Sequence, residues 1–289
     1  MQKFWYHSPV RFYKSLSDLE DMTNPQNTAY FGEKPAFPLE VNDVHRFLIP
    51  NYENEVPNDN YFIYCVNDTE EYKIQSVCEI VDGKLKYVTF GSDKNIKGRL
   101  EIRNEAGDTI FYSNCVDFID STDSEGRKFI KIATKHLYNR NLFDYQSDND
   151  WILTSIPAYC FGITDIDADI TTSRTGGNST LKIRETFLDE IVQYQVIAKG
   201  DANLLNFLQV HVTNNNFYID ETQRTCIEKI DRSEFSMNGT LKFTNVKDEN
   251  GMNISVNYSD LIIDALNTVL SNKSKTIIYT NNNNNLILA

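Results

Sequence analysis

From residue 61 onward, apolar and polar positions follow one another in short runs with the period of strands. Residues 61–66 form a brief buried-type run. Residues 73–81 and 84–90 flank Asp82-Gly83, a strong short-range hairpin signal. In the second of these runs Leu85, Tyr87 and Thr89 alternate with Lys84, Lys86 and Val88, so one face is partly wet. Residues 99–103 and 109–112, joined by 104–108, predict another hairpin, which 115–119 extends. Residues 128–133 and 151–156 each follow a polar stretch and read as further strands.

The later half repeats the style. Strands are expected at 181–184, 187–198, 207–212, 217–219, 225–230, 240–244 and 253–257, with turns at 214–216 and 248–251. Residues 187–192 also suit a helix, since Phe187, Leu188, Ile191 and Val192 share a helical face, and periodicity leaves both open. A C-terminal amphipathic helix is predicted at about 260–271. Ser259 or Asp260 is its cap, and Leu261, Ile262, Ala265, Leu266, Val269 and Leu270 form its apolar stripe. Leu286, Ile287 and Leu288 follow a run of asparagines and either add a last strand or dock on a neighbour. Short elements at this spacing point to a mainly β fold with two β-sandwich or barrel-like domains, 41–155 and 156–289. Their boundary falls between 144 and 177, where acidic and small residues cluster.

Proline changes the picture at the front. Six of the seven lie in the first 57 residues, and central strands exclude proline. Residues 1–40 therefore read as an irregular arm. That arm carries many large rings, and such rings left in water form an unusual exposed patch. Phe4, Trp5, Tyr6, Phe12, Tyr13, Tyr30 and Phe31 are candidate assembly contacts. These rings, with Phe37, pack either on the arm's own domain or on a neighbouring subunit.

Charge narrows the partners. With 28 basic and 41 acidic residues the net charge is −13, which argues against a general grip on nucleic acid or anionic lipid. No apolar run approaches the ~20 residues of a membrane helix, and the first residues lack a secretory h-region. Synthesis in the cytoplasm is expected. The five cysteines (65, 78, 115, 160 and 226) have no zinc-like spacing, and four of them sit in strand-like runs as small core residues.

Candidate chemistry is sparse, and no cofactor is expected. Asp165, Asp167 and Asp169 copy the opening of a calcium loop, but Ile170 and Gly176 stand where its glycine and glutamate belong. A solvated strand face explains them better. Asp117, Asp120, Asp123 and Glu125 form a second acidic cluster, which suits glycoside hydrolysis only if its members converge. His7, His45, His136 and His211 are dispersed, with His211 in an apolar run as a core or cross-strand residue. Nothing singles out Cys115 and His136 as a nucleophile pair, and Thr175-Gly176-Gly177-Asn178 reads as a mobile turn.

Two regions carry a family resemblance. The stretches GRLEIRNEAGDTIFYSNCVDFID, KFIKIATKHLYNRNLFDY and DWILTSIPAYCFG lie within 98–162, and LKIRETFLDEIVQYQVIAKGDANLLNFLQVHVTNNNFYID spans 181–220. Both resemble tail-tip proteins of tailed bacteriophages, the distal-tail or baseplate class. That resemblance implies β-sandwich domains, ring-forming oligomers and no catalysis. It also implies a place in the virion tail, with the chain itself and neighbouring tail proteins as partners. It carries over no functional residue. Two other classes stand beside it. One is a carbohydrate-binding module or adhesin, with Trp5, Trp151 and the sixteen tyrosines as stacking rings. The other is a β-rich glycoside hydrolase using the acidic clusters.

Overall fold

A computed structural model of the chain describes residues 8–16, 36–49, 55–81, 83–120, 129–135, 151–163, 168–175, 178–186, 191–197, 207–208, 211–212, 216–226, 238–261, 277–279 and 286–288. In chain order its first strands are β1 (Phe12–Tyr13), β2 (Phe37–Glu40), β3 (His45–Leu48), β4 (Phe62–Val66), β5 (Glu71–Val81) and β6 (Lys84–Gly91). Next come β7 (Ile96–Arg103), β8 (Thr109–Ile119), β9 (Phe129–Thr134), β10 (Ile152–Ile163), β11 (Ala168–Thr175) and β12 (Asn178–Thr186). The last are β13 (Ile191–Ile197), β14 (Phe217–Ile219), β15 (Thr222–Cys226), β16 (Asn238–Asn245), β17 (Ile277–Tyr279) and β18 (Leu286–Leu288).

The fold is mainly antiparallel β, as the alternation predicts. Fourteen strands form one hydrogen-bonded network, in the order β1-β8-β7-β4-β5-β6-β3-β10-β13-β16-β15-β14-β9 with β2 beside β8. Strand β9 also pairs with β10, so the last six strands of that order close into a ring. Three strands make this possible by changing partner midway. In β5, Glu71–Ile74 pair with β4 and Gln75–Val81 with β6. In β10, residues 152–157 pair with β9 and residues 158–163 with β13. In β15, Thr222 and Gln223 pair with β14, and Arg224–Cys226 with β16. Pro157 stands where β10 passes from one partner to the next, the position at which a missing N–H disturbs the ladder least. Strands β11 and β12 form a separate hairpin, and β17 pairs with β18.

Local chemistry sets the hairpins. Val81 pairs with Lys84, and Gly83 takes φ 72°, the left-handed conformation that a two-residue turn demands. Between β7 and β8, Asn104 Oδ1 accepts from Asp108 N at 2.7 Å and Gly107 takes φ 89°.

Several elements differ from the sequence expectation. The described parts of the 1–40 arm include two strands: β1 runs antiparallel and β2 parallel to β8. Pro38 is tolerated because, among the described residues, β8 is the only strand paired with β2. The strand expected at 207–212 is helical where described. Val212 N donates to Leu208 O at 2.8 Å, and the Phe207 and His211 rings lie 4.5 Å apart. Phe207, Leu208, His211 and Val212 are all buried, a spacing that suits one face of a helical turn and not an alternating strand. Residues 253–257 make isolated bridges in place of a strand. The C-terminal helix begins at residue 258, and its cap is Asn257, not Ser259 or Asp260: Asn257 Oδ1 accepts from Ser259 N at 2.9 Å. Residues 262–271 lie outside the described residues, as do 187–190 and 227–230; 191–197 is strand.

One apolar core runs from Val10 and Phe12 through Phe47, Phe90 and Phe118 to Phe217 and Phe243. Its rings meet at 5.8 Å (Phe47–Phe90), 6.3 Å (Phe90–Phe118) and 5.7 Å (Phe217–Phe243). A smaller cluster of Ala133, Leu153 and Tyr218 is packed by Trp151, Ile254, Val256, Tyr258 and Leu261. At the joint of β3, β5, β6 and β10, Arg46 is buried on Glu79, with Nη2–Oε2 at 3.2 Å. Its Nη1 donates to Trp151 O at 2.5 Å, and its guanidinium lies 3.9 Å from the Tyr87 ring centre. Burying such a pair costs desolvation, so its contribution is to orientation more than to net stability.

Candidate assembly face

The site is built by alternation on three adjacent strands. Ile63 and Cys65 in β4, Leu100 and Ile102 in β7, and Phe111 in β8 point into the core. The intervening residues, Phe62 and Tyr64 in β4, Arg99, Glu101 and Arg103 in β7, and Tyr112 in β8, therefore share the opposite face. Register aligns them. Phe62 pairs with Arg103, Tyr64 with Glu101, and Glu101 in turn with Tyr112. Strand β5 adds Lys73 opposite Tyr64 and Glu71 opposite Val66.

Glu101 is the hub. It is 5% exposed and accepts from Arg99 Nη2 at 2.7 Å, Arg103 Nη2 at 2.7 Å and Nε at 3.1 Å, and Thr109 Oγ1 at 3.1 Å. Burial pushes its carboxyl up, but these donors outweigh burial and hold it below the ordinary glutamate value. Arg103 also grips Glu71 through two bonds of 2.8 Å, and this pairing raises the guanidinium further. Such bidentate, charge-assisted bonds fix both geometry and rotamer.

Each half-buried ring of this face lies under a cation. Lys73 Nζ is 3.7 Å from the Phe62 centre, Arg103 4.6 Å from Tyr64 and Arg99 5.4 Å from Tyr112. The consequence is chemical. One face of each ring is thus already covered, which leaves less room for stacking by a nucleobase or a sugar. Both carboxylates are taken up by guanidiniums, so the face offers an incoming surface cationic donors, ring edges and aliphatic stems. Tyrosine and arginine in this setting are the residue types that anchor protein interfaces.

Of the seven ring residues expected to make assembly contacts, the structure describes two. Phe12 and Tyr13 form β1 and are each 1% exposed, so both are packed within their own chain. Phe37 is likewise in the core. Tyr13 stands in register with Tyr112, at the margin of the face. Phe4, Trp5, Tyr6, Tyr30 and Phe31 lie outside the described residues.

The other candidates are dispersed. Asp117 lies in β8 opposite Lys97 and Asp120 just beyond it, whereas Asp123 and Glu125 fall outside the described residues. Asp169 lies in β11 opposite Glu185; Asp165, Asp167 and Gly176-Gly177 are outside. His211 is a core residue, its Nδ1 3.3 Å from Thr134 Oγ1. Cys115 lies in β8 with its Sγ 3.8 Å from Val116 O, and His136 lies outside the described residues. The Trp151 ring packs against the Tyr218 ring at 5.7 Å. Cys65 is buried beside the face, and burial pushes its thiol up to about 12, an inert state.

Sequence reasoning missed the Arg99-Glu101-Arg103 set. Its signal was present as three charges on alternate positions, separated by Leu100 and Ile102. No protein-family model matches the chain, and neither a curated protein nor a solved structure matches it significantly.

Proposed function

We propose that the chain is a non-enzymatic structural subunit that self-associates and serves as a tail component of a tailed bacteriophage. Distal-tail, baseplate and tail ring or adaptor are the positions this reading covers. The observation that carries it is the face of β4, β7 and β8, where rings and guanidiniums are fixed before any partner arrives. Ordering a rotamer-rich side chain on binding costs about 0.5–1.5 kcal/mol, and a face already locked avoids most of that cost. The tail assignment itself draws on the resemblance of residues 98–162 and 181–220 to tail-tip proteins.

In this reading the chain holds two β units. One is sandwich-like, built around β1–β8, with β5 carried between its two layers. The other is barrel-like, from β9, β10 and β13–β16. The partner change in β5, from β4 to β6, supports the first unit, and the closure of β9 onto β10 supports the second; the single Leu153–Arg46 pairing of β10 with β3 marks the seam. The partners are further copies of the chain and neighbouring tail proteins. Native mass spectrometry with negative-stain imaging across a concentration series tests the proposal. Closed rings, or a monomer that closes into rings as concentration rises, are expected. A compact monomer at every concentration overturns self-assembly.

A further inference from the structure

A second exposed feature complements the ring-and-cation face. After β16 the chain makes a tight turn, closed by the Lys247–Asn253 bridge. Asp248 N donates to Met252 O at 2.8 Å and Gly251 N to Asp248 O at 3.0 Å, with Gly251 at φ 78°. Asp248 Oδ1 also accepts from Asn250 N and Met252 N, both at 2.9 Å. The turn is thus held rigid by its own backbone. On its closing arm Met252 is 64% exposed, against 38% for Leu16, the other exposed large hydrophobic among the described residues. Glu249 stands beside it, also exposed. An apolar, polarizable knob flanked by carboxylates is unusual on a surface, and thioethers pack well against aromatic rings.

The two surfaces match in chemistry and sign. The face has Lys73, Arg99 and Arg103 against Glu71 and Glu101; the turn has Asp248 and Glu249 against Lys247. Like meeting like fails. Face against face brings cationic donors together with both carboxylates already taken up, and turn against turn sets carboxylate beside carboxylate.

Resting on the reading of the chain as a self-associating subunit, we infer that the 248–252 turn of one copy seats on the β4–β7–β8 face of the next. Met252 packs on the edges of Phe62 and Tyr64, and Glu249 meets Lys73. Such a contact is head-to-tail, so it propagates and closes into a ring where the rotation allows.

Sedimentation velocity on the full chain tests this with residues outside the Glu101 hub. Lys73→Glu and Glu249→Lys are each expected to weaken self-association about tenfold, and Met252→Ala by a similar factor. Mixing the Lys73→Glu and Glu249→Lys chains is expected to restore association, because each reversed surface then meets its opposite. Unchanged melting temperatures confirm that the variants fold. If the parent associates and the variants associate as tightly, or if mixing restores nothing, the contact is wrong while self-assembly stands. A parent that is monomeric at every concentration overturns both.

Discussion

His45 is held between the Phe90 and Phe118 rings at 6.0 and 6.3 Å, fully buried, with Nε2 3.1 Å from Glu40 O. Among the described residues its Nδ1 has no hydrogen-bond partner. Burial lowers its pKa below 6.5; Asp43 and the Glu40 carbonyl oppose that shift, and Lys131 adds to it. The unfolded histidine gains its proton near 6.5, the folded one only at lower pH. Between those two values the unfolded state binds more protons, so stability falls as pH drops below about 6.5. The melting temperature is expected to decline from pH 7 toward pH 5, and His45→Gln is expected to flatten that decline. An equal slope in both proteins overturns the assignment. Residues of this kind were poorly legible in the sequence. His45 and Arg46 sit in a short run, HRFL, whose two polar residues give no local sign of burial. Glu79, which neutralises Arg46, lies 33 residues away, and only the pairing of β3, β6 and β5 brings it close.

At the scale of elements, β7 lies unusually close to β4 at Gly98. A Cβ built there meets Val66 O at 2.6 Å and Cys65 Sγ at 2.8 Å. Gly98→Ala is expected to cost about 1–3 kcal/mol, the usual range for overpacking a fixed interior, and urea unfolding measures it. An unchanged midpoint contradicts the close approach. The hairpins themselves were legible, because Asp82-Gly83 and the 104–108 loop carry turn chemistry that acts locally. Strands β4–β9 followed from period-two alternation. The failures have a common cause. Strand β2 hides behind Pro38, which an edge position tolerates, and 207–212 is short enough to fit either period. Residues 253–257 have the alternation of a strand but lie over the smaller cluster. There Ile254 and Val256 pack inward and bond Val246, Gln223 and Glu221 through the backbone.

At the scale of the whole molecule, the larger apolar core among the described residues includes the front of the chain. Phe12 and Phe37 are 1% and 0% exposed within it. Deleting residues 1–38 is therefore expected to abolish cooperative unfolding, read as loss of the near-ultraviolet dichroism and of a thermal transition. A truncated chain that folds and merely fails to assemble would mean the front rings serve other copies. The fold class was legible in alternation and turn residues, but the closure of six strands into a ring was not. Closure depends on β9 meeting a β10 that also pairs with β3 and β13, and on β15 passing from β14 to β16, and no local pattern encodes a change of partner. That sharing has a mechanical consequence. Strand β10 spans twelve residues, about 40 Å of extended chain, and pairs with β9 along its first half and with β13 along its second. Tension on one half passes along a single covalent rod. The ladders on β9 and β13 resist it in shear, many bonds loaded at once. A load along β10 is therefore shared by both ladders, and the strand comes free only when many bonds break together.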